Sequence, residues 1–272
     1  MMKKSTLWKT PLAIIISFLH FIPFLIAINV AFKSKTDLTS RWALPKELYL
    51  ENFIYAIKKA NIFAAMKNSF IITVISIVII TLIGAMAAYP LARNRTKTNK
   101  IVLNLVIAVM MVPPLSVLVP LLTMMSKING ISTYWGIILV VSTFQLPISI
   151  FLYTNFITTI PKSLDEAATI DGCSKFSVFY RVILPLLKSV TSTVIILTGV
   201  AIWNEYQFSL FLLQSTDMRV VTLSVATFFA QSSTNLGGAA ASALIAIMPI
   251  ATLFIFLQKY FVQGMVDSAV KG

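Results

Sequence analysis

The chain has 272 residues, of which 58% are hydrophobic and only 11% charged, whereas soluble domains average about 25% charged; the composition is that of an integral membrane protein. Its formal net charge of +13 does not indicate nucleic-acid binding, because the basic residues sit at the ends of apolar runs and form no amphipathic stripe. The single cysteine, Cys173, excludes an internal disulfide framework, and the single histidine, His20, excludes a His-based metal cluster.

Six apolar stretches are long enough to cross a hydrocarbon core of roughly 30 Å at about 20 residues each. They are residues 11–32, 68–92, 101–125, 134–160, 190–214 and 237–262. The first follows Lys3, Lys4 and Lys9, yet it is longer than a signal-peptide core and ends in no A-x-A-like cleavage site, so it is read as a retained span. After it, "LENFIYAIKKANIFAAM" places Phe53, Ile57 and the stretch from Ala60 to Ala64 at helical spacing, which predicts a helix lying on the outer surface.

The compact cationic turn "RNRTKTNK", Arg93 to Lys100, is expected on the cytosolic side. With six spans, both termini are then cytosolic. The segment from Lys33 to Lys67 runs against this bias, since it lies outside while carrying Lys33, Lys35, Arg41, Lys46, Lys58, Lys59 and Lys67. In span two, Gly84 and Ala88 form a small-xxx-small face for close helix approach. Pro113, Pro114 and Pro120 in span three, Pro147 in span four and Pro249 in span six predict bent helices around a cavity. The plain alternative is that membrane helices simply tolerate proline.

Between spans four and five lies "SLDEAATIDGCSKF", Ser163 to Phe176, which holds three of the nine acidic residues of the chain. Ser163 and Glu166 have the spacing of a capping box, and Asp165 adds charge to the first turn. A short helix from Leu164 to Asp171 is expected, stopped by Gly172, with Ser174 capping a second helix that Pro185 interrupts. In span five, Asn204, Glu205 and Gln207 lie beside Trp203 and Tyr206. A carboxylate there costs about 2.5 to 3.5 kcal/mol unless it meets water or a partner. On a continuous helix Asn204 and Gln207 share a face, and Glu205 points about 100° away. Gln145 and Asn155 in span four are weaker polar candidates of the same kind. Two readings stay open for this set: direct contact with a polar solute, and hydrogen-bonded glue to a partner subunit.

"EAATIDGCSKFSVFYRVILP" resembles the EAA loop of the membrane subunits of binding-protein-dependent ABC importers: Glu166, Ala167, Ala168, Gly172, an aliphatic Val182, then Leu184 and Pro185. Val182 stands where the family usually has isoleucine, and Cys173 where it often has alanine. "NSFIITVISIVIITLIGAMAAYPLAR", "MVPPLSVLVPLL", "WNEYQFSL" and the C-terminal "QKYFVQGMVDSAVKG" extend the match over nearly the whole chain, with Ser268 in place of a usual glycine. Together these stretches look like the second permease of the maltose-permease-like, carbohydrate-uptake subfamily.

The resemblance implies an all-α integral membrane protein with six transmembrane helices in the type I ABC importer permease fold, and a cytosolic coupling helix between spans four and five. It divides the chain into an N-terminal part (1–67), a transmembrane core (68–262, with the EAA loop at about 162–186) and a cytosolic tail (263–272). It implies a prokaryotic cytoplasmic-membrane location. The implied partners are a second homologous permease, two ATPase subunits, an external solute-binding protein and a sugar. Glu166, Ala167, Ala168, Asp171, Gly172, Leu184 and Pro185 are the implied ATPase-coupling residues, with Glu166 open between capping its own helix and touching the ATPase. ATP and magnesium are expected on the partner ATPase, with no cofactor on this chain. Consistent with a transport subunit that is not an enzyme, the sequence has no G-x-x-x-x-G-K-[ST] loop, catalytic triad or carboxylate pair. Other classes are half of an ion-coupled secondary transporter, for which Glu205 is the one midplane carboxylate, and a membrane anchor for an enzyme complex. A glycerol-phosphate or similar polar solute fits the same framework as a sugar.

Overall fold

The computed structural model describes residues 8–231 and 235–269. The flanking Lys3 and Lys4 and residues 270–272 lie outside that range. Every regular element among the described residues is helical. Among the described residues four helices are long and apolar enough to cross a membrane unaided: α1 (Lys9–Ala31), α3 (Ile62–Arg93), α6 (Tyr134–Thr159), and Leu236–Phe256 within α13 (Leu236–Ala269). Two further crossings are broken. One joins α4 (Lys97–Val109) to Pro114–Lys127, which contains α5 (Leu118–Lys127), through a bend of 95°. The other joins Lys175–Leu186 to α10 (Lys188–Trp203) through 74°. With each bent pair taken as one span the total is the expected six.

The break in span three follows from its chemistry. Pro113 and Pro114 have no amide hydrogen to continue the ladder. The chain instead closes tight turns, with the amides of Met110, Met111 and Val112 donating three residues back and the Ser116 hydroxyl covering the Pro113 carbonyl at 2.7 Å. Pro120 falls in the first turn of α5, where a missing donor does no harm. The continuous span expected over 101–125 is therefore two helices. Span five differs more, because α10 stops at Trp203 instead of running to 214, and the short α11 (Gln207–Leu212) follows the break. At the C-terminus no turn forms at Ser268, since α13 continues through Ala269.

The chain forms two compact units, one from the stretch up to Ala64 with Ser224–Met248, the other from Ala65–Leu223 with the chain from Pro249 on. In the first, Ala31, Ala56 and Ala241 are fully buried, with Phe53, Leu244 and Ile245 packed around them. Asn52 donates to the Ala31 and Lys33 carbonyls at 2.9 and 2.7 Å. A Cβ on Gly237 would stand 2.4 Å from the Asn52 amide nitrogen, so glycine is required there. Lys33 is buried and donates to the Thr39 hydroxyl and the Ser40 carbonyl, so one of the cations that run against the charge bias is consumed inside its own loop. Thr39 also hydrogen-bonds Asp37 through hydroxyl and amide, holding that exposed carboxyl below its ordinary range. The helix expected from residue 50 to 66 is interrupted: α2 (Glu51–Ala60) ends at Asn61 in the left-handed conformation, φ 46°, which asparagine adopts more readily than most residues. Ile62 then begins α3.

In the second unit α6 is the central helix, carrying the fully or almost fully buried Ile137, Tyr153 and Ile157. The small face expected on span two meets it directly. A Cβ on Gly84 would lie 2.1 Å from the Ser149 hydroxyl oxygen, and that hydroxyl donates to the Ile80 carbonyl at 3.1 Å. Close approach of the two helices thus depends on glycine at 84. Gly84→Val is predicted to destabilise the detergent-solubilised protein by about 1 to 3 kcal/mol through overpacking, and Ser149→Ala on the same chain to recover part of the loss. Thermal unfolding midpoints of the two variants measure this, and equal midpoints for Gly84→Val and wild type would remove the packing role.

Candidate functional site

The island after span four forms a helical knob. α7 (Ser163–Ile170) is followed by α8 (Lys175–Val178), a π-helical turn (Phe179–Ile183) and α9 (Leu184–Leu186). The expected capping box does not form. Lys162, already helical at φ −66° and ψ −24°, stands at the N-cap with no side-chain bond, and its carbonyl takes the Glu166 amide at 3.1 Å. Ser163 is thus inside the helix, where its hydroxyl cannot turn back to the third residue's amide. Glu166 and Ala167 are exposed, while Ala168 is buried against the core.

The far end of α7 matches expectation. Gly172 has φ +83°, its amide donates to the Thr169 carbonyl, and the Cys173 amide donates to that of Ala168, the two crossed bonds of a Schellman stop. Asp171 is the exposed residue before it. Ser174 caps α8 by accepting from the Ser177 amide. Pro185 stands exposed and Leu184 half-buried against the core, and the bend falls at Leu187, two residues past the proline. Ile170 is 86% and Phe176 70% exposed. They border a groove of 610 Å³ between the knob and the end of α3, lined also by Tyr89, Arg93, Lys162 and Glu166.

Tyr89, which the sequence did not single out, and Arg93, which it placed in the cationic turn, organise this knob through Asp165. Asp165 accepts from the Tyr89 hydroxyl at 2.7 Å and forms an ion pair with Arg93 at 2.8 Å. Arg93 therefore turns inward and is not a free charge of the cationic turn. A sequence signal for it existed only in part: an arginine closing a long apolar span, with no indication of its partner 72 residues away.

The second polar cluster is rearranged by the break after α10. Asn204 is the C-cap residue and Gln207 opens a new helix, so the two do not share one helical face. Asn204 is exposed and donates to the Val200 carbonyl at 2.9 Å. Gln207 is exposed, Trp203 is buried and Tyr206 is 39% exposed. Glu205 serves α11: its carboxylate accepts from the amides of Phe208 at 2.6 Å and Ser209 at 2.9 Å, and from the Ser209 hydroxyl. Its backbone carbonyl takes the Thr222 hydroxyl at 2.7 Å. An acidic side chain at a helix N-terminus satisfies orphan amides and suits the dipole. Of the two span-four candidates, Gln145 is half-buried and follows Phe144, whose ring packs on Phe208 of α11 with centres 4.6 Å apart. Asn155 is exposed about 15 Å further along α6 and does not join the cluster. Among the described residues no group of three or more His, Cys, Asp or Glu side chains is arranged to hold a metal.

The sequence model of the family described as binding-protein-dependent transport system inner membrane component matches residues 80–267. The chain belongs to that family. It is a multi-pass membrane permease. The permease is 41% identical to the melibiose/raffinose/stachyose import permease protein MelC of Bacillus subtilis over 270 residues, covering 99% of this chain and 98% of that one. It is 35% identical to a probable starch degradation products transport system permease, AmyC of Thermoanaerobacterium thermosulfurigenes, over 96% of each chain. In fold it matches a chain in the crystal structure of a bacterial ABC transporter involved in import of the acidic polysaccharide alginate, with a TM-score of 0.80 at 17% identity, over 96% of this chain and 99% of that one. A second match, with a TM-score of 0.69, is to an alginate ABC transporter in complex with its pentasaccharide-bound periplasmic protein.

Proposed function

We propose that the permease forms, with a second homologous permease, the pathway of an ATP-driven importer for a sugar or oligosaccharide delivered by an external solute-binding protein. The observation that carries this is the 41% identity, end to end, with a permease named for melibiose, raffinose and stachyose. Two ATPase subunits holding ATP and magnesium power the cycle, and this chain binds no cofactor. It lies in a prokaryotic cytoplasmic membrane with both termini in the cytosol. The coupling surface is the knob. Glu166 and Ala167 face the ATPase, Ala168 seats α7 on the core, Asp171 and Gly172 set the angle to α8, and Leu184 and Pro185 lead into the bend. The exposure of Glu166 and its lack of a capping role support contact with the partner over self-capping. Asn204 and Gln207, with Tyr206 between them in the chain and Gln145 on α6, are the candidates for meeting the solute.

Reconstitution in proteoliposomes with the second permease, the ATPase and the binding protein encoded alongside tests the proposal. ATP-dependent accumulation of a labelled galactoside or glucoside is expected. Uptake of glycerol-phosphate in place of sugar would overturn the substrate class, and uptake driven by an ion gradient without ATP would overturn the importer class.

A further inference from the structure

The knob is held by a latch that neither the family match nor the sequence motif describes. Arg93 is the last residue of α3, and its side chain is only 9% exposed. Its guanidinium lies against Asp165, with Nε donating to Oδ1 at 3.2 Å and Nη2 in ion-pair contact with Oδ2 at 2.8 Å. The remaining nitrogen, Nη1, donates to the carbonyls of Ile157 and Ile160 at 3.2 and 2.8 Å. Ile160 is the C-cap residue of α6, so these carbonyls belong to the end of that helix, where intrahelical donors run out. Tyr89, one turn earlier on α3, adds its hydroxyl to the same carboxylate. One side chain thus ties three elements: the end of α3, the end of α6, and the first turn of α7.

The rest of α7 is held lightly. Ala168 is its one buried residue, and Glu166, Ala167, Thr169 and Ile170 are all exposed. A push on α7 therefore reaches the ends of α3 and α6 chiefly through Asp165, while the later part of the knob meets α3 through Phe179, whose ring centre lies 5.4 Å from that of Tyr89. Only a planar fork with several donors serves both the carboxylate and the two carbonyls. The ammonium of a lysine is a compact point charge and matches one of these at a time.

We propose that Arg93 is a positioning residue, which with Asp165 and Tyr89 transmits displacement of the knob to α3 and α6, so that ATP hydrolysis by the partner is converted into movement of the pathway. This rests on the importer reading above. It is distinct from the coupling surface, since the side chains of Arg93 and Asp165 are only 9% and 17% exposed whereas Glu166 and Ala167 are exposed.

The test uses the assembled importer in membranes, carrying Arg93→Lys, Asp165→Asn or Tyr89→Phe. Three quantities are read: the amount of complex, binding-protein-stimulated ATP hydrolysis, and uptake. Assembled complex at wild-type level with uptake per ATP hydrolysed reduced about tenfold in the Lys and Asn variants, and a smaller reduction in the Phe variant, is the expected result. An unchanged ratio of uptake to hydrolysis overturns the proposal. So does loss of uptake that merely follows loss of complex in both the Lys and the near-isosteric Asn variants, which assigns the latch to folding alone. Failure of the importer reading itself is separable, because wild type would then show no ATP-driven uptake.

Discussion

Gly172→Pro is expected to leave the permease inserted in the membrane and to abolish uptake, by at least about tenfold, because it breaks the stop that sets the angle of the knob. Position 172 needs φ +83°, and proline is locked near −65°. Proline also lacks the amide that now donates to the Thr169 carbonyl. Space is not the limit, since a Cβ at 172 would meet nothing within 4 Å. Gly172→Asn, which reaches the left-handed region at a cost of about 1 kcal/mol, is accordingly expected to keep most of the uptake. Uptake of labelled sugar and co-purification of the ATPase decide the matter. Wild-type values for both in Gly172→Pro would remove the knob from the coupling pathway, and a deficit shared equally by the Asn variant would point to crowding at a docked surface.

Glu205→Ala is expected to lower the amount of folded permease sharply, whatever it does to transport. Its carboxylate satisfies two amides and a hydroxyl at the start of α11. Each buried donor left without an acceptor costs about 1 to 3 kcal/mol, and a segment within the membrane has little water to make good the loss. Glu205→Gln keeps one acceptor oxygen and is expected to be intermediate. Asn204→Leu provides the contrast. That side chain is exposed and bonds only back along its own helix, so folded amount is expected to hold while uptake changes. Quantified membrane protein against initial uptake rate separates the two. Full abundance of Glu205→Ala with lost uptake would return Glu205 to the solute pathway, and failure of Asn204→Leu to assemble would favour the helix-glue role.

Much of the helix content and one end of the knob were legible because their causes are local. Runs of apolar residues mark the spans, and Gly172 marks the stop of α7, since glycine is the usual left-handed residue after a helix, with asparagine, as at Asn61, the alternative. The start of α7 was misread for an instructive reason. Ser163 and Glu166 have capping-box spacing, yet the backbone is already helical at Lys162, and backbone conformation rather than spacing decides which residue caps. Asp165, read as a first-turn charge, is committed to Arg93 and Tyr89. Nothing in the chain near residue 165 encodes that pairing. Glu205 repeats the lesson, because its role became visible only once α10 was seen to end at Trp203.

By itself, the sequence determined that the protein is an apolar, proline-broken helical chain of six crossings with a polar helical knob between the fourth and fifth. Hydrocarbon thickness, helix periodicity and the dihedral limits of proline and glycine act within a few residues and so are written locally. Only the tertiary structure decided where the fifth span bends, that Gly84 must stay small against Ser149, and that Arg93 faces inward to bind Asp165 and the end of α6. Those outcomes depend on groups far apart in the chain competing for the same carbonyls, carboxylates and volume, and that competition is settled by packing.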